Sequence, residues 1–314
     1  MTSTAQHSQV VQKQFGEQAS AYLSSAVHAQ GTEFALLQAE LAGQGDARVL
    51  DLGCGAGHVS FHVASLVKEV VAYDLSQQML DVVAAAAIDR GYSNVTTVNG
   101  AAERLPFADG EFDFVFSRYS AHHWSDLGLA LREVRRVLKP GGVAAFIDVL
   151  SPGSPLFDTY LQSVEVLRDT SHVRDYSAGE WLRQVSEAGL HTRSTTRQRL
   201  RLEYTSWVER MRTPEVMRAA ILELKQSMGN EVRDYSAGEW LRQVSEAGLH
   251  TRSTTRQRLR LEYTSWVERM RTPKVMRAAI LELQQSMGNE VRDYFEIEAD
   301  GSFSTDVLVL MAER

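Results

Sequence analysis

Five short apolar runs separated by stretches of helical texture constrain this chain more than any other feature. They fall at 47–53 (ARVLDLG), 69–75 (EVVAYDL), 94–100 (NVTTVNG), 112–118 (FDFVFSR) and 142–150 (GVAAFIDVL). Helix signals fill the gaps. His58 to Val67 follows a glycine turn, and Ser76 is placed to N-cap a helix that runs to about Arg90 and stops at Gly91. A third helix, 126–138, is closed by Lys139-Pro-Gly-Gly. Short apolar strands alternating with helices are the pattern of an α/β fold whose parallel sheet is covered on both faces.

The flanks read differently. Residues 10–41 suggest two helices, with Phe15, Tyr22, Phe34 and Leu37 at apolar positions. The C-terminal part repeats itself: the text starting at Val173 starts again at Val232, an offset of 59 residues. The copies, 173–231 and 232–290, differ only at Glu215 against Lys274 and Lys225 against Gln284, and a third VRDY begins at Val291. Solenoids need about three or more units, and their units drift. Near identity points to a recent tandem duplication, natural or engineered, inserted into a finished fold that would otherwise have 255 residues. Each copy carries Ser177 and Glu180, or their equivalents, in a capping-box pattern, then a helix to Gly189 and a strand from His191. Thr213-Pro214 then opens a further helix that stops at Gly229. On the repeat strand Arg197, Arg199 and Arg201 alternate with Gln198, Leu200 and Leu202. That face suits an edge strand kept from aggregating by charge, or else an anion site. A turn at Asp300-Gly301 leads to the last strand, STDVLVLMAE.

The net charge of -7 disfavours a nucleic-acid partner, which needs a basic face. Cys54 is the single cysteine, so neither an intramolecular disulfide nor a cysteine-rich metal site is expected, and a reducing cytoplasm fits. The first residues are polar with no apolar signal core. The longest apolar stretch, between Asp81 and Asp89, falls short of the ~18 residues of a membrane span.

The first run ends in Asp51-Leu-Gly-Cys-Gly-Ala-Gly. Glycines let the backbone turn sharply and approach a ligand closely. The helix that follows would aim its N-terminal amides at that ligand. A dinucleotide site wants G-x-G-x-x-G, but His58 stands where the third glycine belongs, which argues against an NAD-dependent oxidoreductase. Asp74 ends the second run, 21 residues after Gly53, where a carboxylate can accept both ribose hydroxyls. The pair reads as a nucleoside site.

Taken together, D-L-G-C-G-A-G (51–57), Y-D-L-S-x-x-M-L (73–80), A-E-R-L-P-F (102–107), F-D-F-V (112–115) and L-K-P-G-G (138–142) resemble the class I S-adenosylmethionine-dependent methyltransferases, the ubiquinone/menaquinone-biosynthesis-like type-11 group in particular. The resemblance implies a Rossmann-like doubly wound sheet of seven strands in order 3-2-1-4-5-7-6, the last antiparallel. Either copy of the repeat then supplies strand six. It also implies S-adenosyl-L-methionine as cofactor and S-adenosyl-L-homocysteine as product. Gly53 and Gly55 would pass beneath the methionine part, with Asp51 and Gly57 organising the turn. Asp74 would hold the ribose, and Leu75, Met79 and Leu105 would line the adenine. The Ala102 amide would bond the adenine edge, and Ser117 and Arg118 would offer backbone groups to the amine. Many relatives have Asp where this chain has Ala101, so Glu103 or solvent must compensate. Tyr22 would close over the cofactor. Cys54 is then a small buried turn residue rather than a nucleophile.

The acceptor chemistry is expected after the fourth strand, in SRYSAHHWSD (117–126). Methyl transfer from a sulfonium is an in-line displacement that depends mainly on alignment. A base helps when the nucleophile carries a proton, and histidine titrates in the useful range. His122 and His123 are the candidates, Tyr119 and Trp124 would wall the pocket, and Asp148 would face the substrate. Adjacent histidines diverge, and no metal site is expected. The expected organisation is an N-terminal helical cap (1–44), a cofactor-binding core (45–150) and a C-terminal part with substrate-cap helices and the repeat (151–314). The expected partner is a small-molecule methyl acceptor, with neither nucleic acid nor membrane. The spare copy makes a segment-swapped homodimer a second expectation. The competing reading is a cofactor-binding protein with impaired catalysis or an interaction role because of the duplication.

Overall fold

A computed structural model describes residues 7–8, 11–12, 14–15, 23, 31–169, 171–202, 211–213, 258–259, 296 and 303–313. The chain divides into two compact units: Met1–Asp148 with Glu180–Thr196 and Leu308–Arg314, and Val149–Gly179 with Arg197–Val307.

The first unit is built on five parallel strands, β1 (Arg48–Leu52), β2 (Glu69–Asp74), β3 (Val95–Asn99), β4 (Phe112–Arg118) and β5 (Leu138–Val149). Their order is 3-2-1-4-5. β1 lies between β2, in register from Arg48↔Glu69 to Leu52↔Tyr73, and β4, from Val49↔Phe114 to Asp51↔Phe116. This central position explains the unbroken apolar run: Val49, Leu50 and Leu52 are wholly buried. Each such side chain contributes roughly 1.5–3 kcal/mol through burial.

The helices present single apolar faces. α1 (Glu33–Glu40) buries Phe34 and Leu37, and α2 (His58–Val63) buries Val59 and Val63. α3 (Gln77–Asp89) buries Met79, Leu80, Val83, Ala86 and Ala87, spaced three or four apart on one side. Its cap is Ser76, whose hydroxyl accepts from the Met79 amide at 3.4 Å. α4 (Leu127–Val137) is capped by Asp126, which accepts from the Leu129 amide at 2.8 Å, and buries Leu127, Ala130, Leu131, Val134 and Val137. Among the described N-terminal residues, 7–8, 11–12, 14–15 and 23 are helical.

α5 (Pro155–Arg168) lies in the second unit, and its last carbonyl accepts from the Thr213 hydroxyl at 2.7 Å. In α6 (Ala178–Glu187) the wholly buried Trp181 packs against Phe146 of β5, ring centroids 5.5 Å apart. β6 (His191–Leu202) follows; in the second unit it pairs in parallel with β7 (Arg258–Leu259) through Arg199↔Arg258 and Leu200↔Leu259. These partners sit one repeat length apart. The last strand, β8, is Phe303–Glu313.

Several expectations need adjustment. The helix beginning at His58 ends at Val63, and a 3-10 turn, Ala64–Leu66, completes the connection. α4 ends at Val137, and Leu138-Lys-Pro-Gly-Gly, which closes it, is at the same time the irregular start of β5. The β4–β5 register shifts there between Phe112 and Phe114, and Gly141 takes φ +77°. On β6, Arg199 of the expected basic face is buried and Arg197 half-buried, and β7 pairs alongside. The helix from Pro214 and the turn at Asp300-Gly301 lie outside the described residues. No helix among the described residues is long and apolar enough to cross a membrane.

Candidate active site

The C-terminal ends of β1, β2 and β4 open onto a cleft of about 1050 Å³, its open mouth included. The loop after β1 forms its floor. Gly53, Gly55 and Gly57 all have positive φ (70°, 51° and 83°), a region that side chains other than glycine rarely occupy. Gly53 is further constrained by space, because a Cβ there would lie 1.8 Å from the Ser120 hydroxyl oxygen. The Gly53 and Cys54 amides donate to the Tyr73 carbonyl (2.8 and 3.0 Å), which ties the loop to the end of β2.

Two carboxylates organise this floor. Asp51 Oδ2 accepts from both the Ser60 amide (2.9 Å) and the Ser60 hydroxyl (2.7 Å). It is 1% exposed, and burial pushes its carboxyl up to about 7, against the opposing hydrogen bonds from Ser60. Asp74 is half-buried. Its Oδ2 accepts from the Gly55 amide at 2.9 Å and its Oδ1 from the Ser76 amide at 2.8 Å. Desolvation raises its pKa and those amides lower it. A carboxylate offers about four acceptor positions, so Asp74 retains capacity for ligand hydroxyls. Among the N-terminal amides of α2, that of Ser60 is engaged by Asp51. The thiol of Cys54 is pushed well up by burial, then by Asp74 and Asp51, which makes it a poor nucleophile.

The opposite wall comes from the loops after β3 and β4. The buried Tyr73 phenol donates to the Ala101 carbonyl at 3.0 Å, shaping the 100–104 turn. Glu103 Oε1 accepts from the Ser125 amide and hydroxyl, both at 2.6 Å. That oxygen therefore braces the 125–126 loop instead of standing in for the missing Asp at Ala101. Tyr119 adopts φ 52°, uncommon for a bulky residue and typical of constrained functional loops. Its amide donates to the Ile147 carbonyl at 2.8 Å, and its ring carries the Arg118 guanidinium 4.4 Å from the centroid. Arg118 is buried in an ion pair with Glu33 of α1 (2.7 Å) and also covers Phe34.

The sequence-derived residues sort clearly. Asp51, Gly53, Gly55, Asp74, Leu75, Met79, Ala101, Ala102, Glu103, Arg118, Tyr119, His123 and Trp124 line the cleft. Gly57, Leu105, Ser117, His122 and Asp148 are not among its lining residues. Gly57 N-caps α2 against Val83 and Phe61. Leu105 is buried, its amide donating to Glu133. Ser117 is buried within β4. His122 is held on Asp148, Nδ1 to Oδ1 at 2.6 Å. Tyr22 lies outside the described residues. Also in the lining are His7, Phe15, His58 and Ser120. His7 donates through Nε2 to the His123 carbonyl at 2.9 Å, and Phe15 packs edge-on against the His123 ring. Of these, Phe15 carried a sequence signal as an apolar helical position, His58 as the residue after the glycine turn and Ser120 as part of the 117–126 stretch, whereas His7 carried none.

Comparison with known proteins fits this geometry. A family profile described as "Methyltransferase domain" matches residues 50–146. The chain is 35% identical over 220 residues to an uncharacterized methyltransferase, YcgJ, of Bacillus subtilis, spanning 70% of this chain and 87% of YcgJ. It belongs to the class I S-adenosylmethionine-dependent methyltransferases. The crystal structure of YcgJ superposes with a TM-score of 0.66 at 27% identity, covering 90% of this chain and 97% of YcgJ. An uncharacterized Escherichia coli protein, YafE, is 56% identical over 185 residues, 59% of this chain and 89% of YafE. A demethylmenaquinone methyltransferase of Chlorobaculum parvum is 33% identical over 118 residues, 37% of this chain and 47% of that protein. The cofactor of this methyltransferase is S-adenosyl-L-methionine. The residues present suit it: glycines that leave room beside Ser120, and a carboxylate at the end of β2 held by two amides.

Proposed function

We propose that this enzyme methylates a small-molecule acceptor bound at the Tyr119–Trp124 end of the cleft, by in-line transfer, with a ring nitrogen of His123 taking the acceptor's proton. One observation carries this reading: a single cleft is lined both by the nucleoside-binding set and by His123 and Trp124, while His122 is tied to Asp148. When bound, the cofactor supplies an electrophilic methyl group on a sulfonium. Asp51, Gly53, Gly55, Asp74, Leu75, Met79, Ala101 and Ala102 would hold it, with the backbone at Arg118 at its amino-acid end. Phe15, Tyr119 and Trp124 exclude water and align the acceptor, where most of the acceleration arises. The relative named for demethylmenaquinone supports a small organic acceptor.

The finer architecture belongs to the same proposal. The seven-strand order 3-2-1-4-5-7-6 is supported by β8 following β5 in the sheet and β6 following β8. The division into helical cap, cofactor core and substrate-cap part, a cytoplasmic location and a segment-swapped dimer through the repeat complete it.

The test is incubation with methyl-labelled S-adenosyl-L-methionine and a panel of phenols, hydroquinones, carboxylates and amines. We expect transfer to one class, and His123→Asn to lower the rate roughly 10²–10⁴-fold, the usual worth of a general base. Transfer to none of the panel, by the full chain and by a form lacking 232–290, would contradict the small-molecule reading.

A further inference from the structure

The paired His122 and Asp148 are buried titratable groups that the proposed chemistry leaves unused. Asp148, near the end of β5, receives two hydrogen bonds from one residue. The His122 ring donates from Nδ1 to Oδ1 at 2.6 Å, and the His122 amide donates to Oδ2 at 3.2 Å. The side chains are 11% and 4% exposed. The next residue back on β5, Ile147, accepts from the Tyr119 amide at 2.8 Å. Two consecutive residues of β5 therefore fasten the chain from Tyr119 to His122. Between these anchors the backbone makes a single 3-10 turn, closed by His123 N–H to Ser120 O (3.0 Å) and Trp124 N–H to Ala121 O (3.1 Å).

Four cleft-lining residues ride on this turn: Tyr119, Ser120, His123 and Trp124. The Trp124 indole donates to the Ser120 hydroxyl at 3.1 Å, directly above Gly53. The His122 ring lies against the His123 ring, centroids 4.1 Å apart and tilted 51°. Backbone bonds alone would close such a turn. A carboxylate and an imidazole are costly to bury, and a charge-assisted pair fixes orientation more tightly than a neutral contact. We propose that His122 and Asp148 are positioning residues: they act through the turn, setting the His123 ring and the Trp124 indole against the cofactor site, and neither touches the substrate. This rests on the reading of the cleft given above.

The experiment uses S-adenosyl-L-homocysteine alone as the probe and the full chain as the protein. Trp124 is followed by its indole ¹⁵N–¹H signal, assigned with Trp124→Phe, and affinity is measured by calorimetry. His122→Phe fills the space but removes the ring donor. His122→Asn keeps an N–H close to the Nδ1 position. We expect His122→Phe to shift and broaden the Trp124 signal and weaken binding roughly tenfold, as for the loss of one charge-assisted hydrogen bond. We expect His122→Asn to restore both. Asp148→Asn, which keeps one acceptor, should lie between them. An unchanged Trp124 signal in His122→Phe overturns the proposal, as does His122→Asn behaving like His122→Phe. Should His122→Phe fail to fold, the comparison of His122→Asn and Asp148→Asn with the parent carries the same decision. His123→Asn tests the base assignment separately, by methyl transfer alone: if it leaves transfer unchanged, the base assignment fails while the positioning role stands.

Discussion

Replacing Asp51 by Asn should flatten a component of the protein's pH-dependent stability. Asp51 is buried at the end of β1, and burial lifts its carboxyl from 3.8 to about 7, the Ser60 hydrogen bonds opposing and Asp74 adding to the rise. The folded state therefore holds this proton more tightly than the unfolded chain. The resulting stabilisation is fully present below about pH 4, declines as pH rises, and is gone above about pH 7. A shift of about three units corresponds to roughly 4 kcal/mol, of which about 3 kcal/mol is lost between about pH 4.5 and pH 7.5. Asn keeps an acceptor for Ser60 but does not titrate. Asp113 and Glu133, whose pKa values are lowered by Lys139 and Arg136 against the rise from burial, pull the other way and cancel between the two proteins. Urea denaturation of parent and Asp51→Asn at a series of pH values gives the comparison. The parent should lose stability relative to the variant as pH rises through that window. Parallel profiles, or the opposite slope, would refute an elevated Asp51 pKa.

Gly53→Ala should abolish S-adenosyl-L-homocysteine binding by calorimetry, because its Cβ would lie 1.8 Å from the Ser120 oxygen on a backbone at φ +70°. Gly45→Ala, with nothing within 4 Å of its Cβ, should bind normally. Glu33→Ala leaves the Arg118 guanidinium buried without its carboxylate, a loss of about 3–5 kcal/mol that thermal denaturation would register as a clear fall in Tm. Deleting 232–290 should give a folded monomer that binds S-adenosyl-L-homocysteine; an insoluble product would contradict the insertion reading. Light scattering of the full chain should show a dimer if the spare copy exchanges between molecules, and a monomer otherwise.

The glycine-turn half of the cleft was legible because each of its constraints is local. The positive-φ glycines, the Ser76 and Asp126 caps and the carboxylate at the end of β2 depend on residues a few positions apart. Sequence spacing reports such geometry directly. The half built from residues 117–126 was less legible. His122 and His123 are neighbours of identical type, and nothing local separates the one that faces the cleft from the one buried on Asp148. Glu33 carried no signal either, since its role depends on Arg118, far away in the chain. The unusual backbone at Tyr119 has no glycine to announce it.

The sequence by itself determined the parallel α/β core, the glycine turn after β1, the cofactor and the 59-residue repeat. Strand apolarity, glycine freedom and capping chemistry all act over a few residues. Tertiary structure alone decided that Asp148 holds His122, that Glu103 braces Ser125, and that Glu33 pairs with Arg118. It also buried Arg199 of the repeat strand, beside which β7 pairs. Each of these joins charged or polar groups that meet only after the sheet has formed. Their energies come from burial and partner choice, which a linear text does not record.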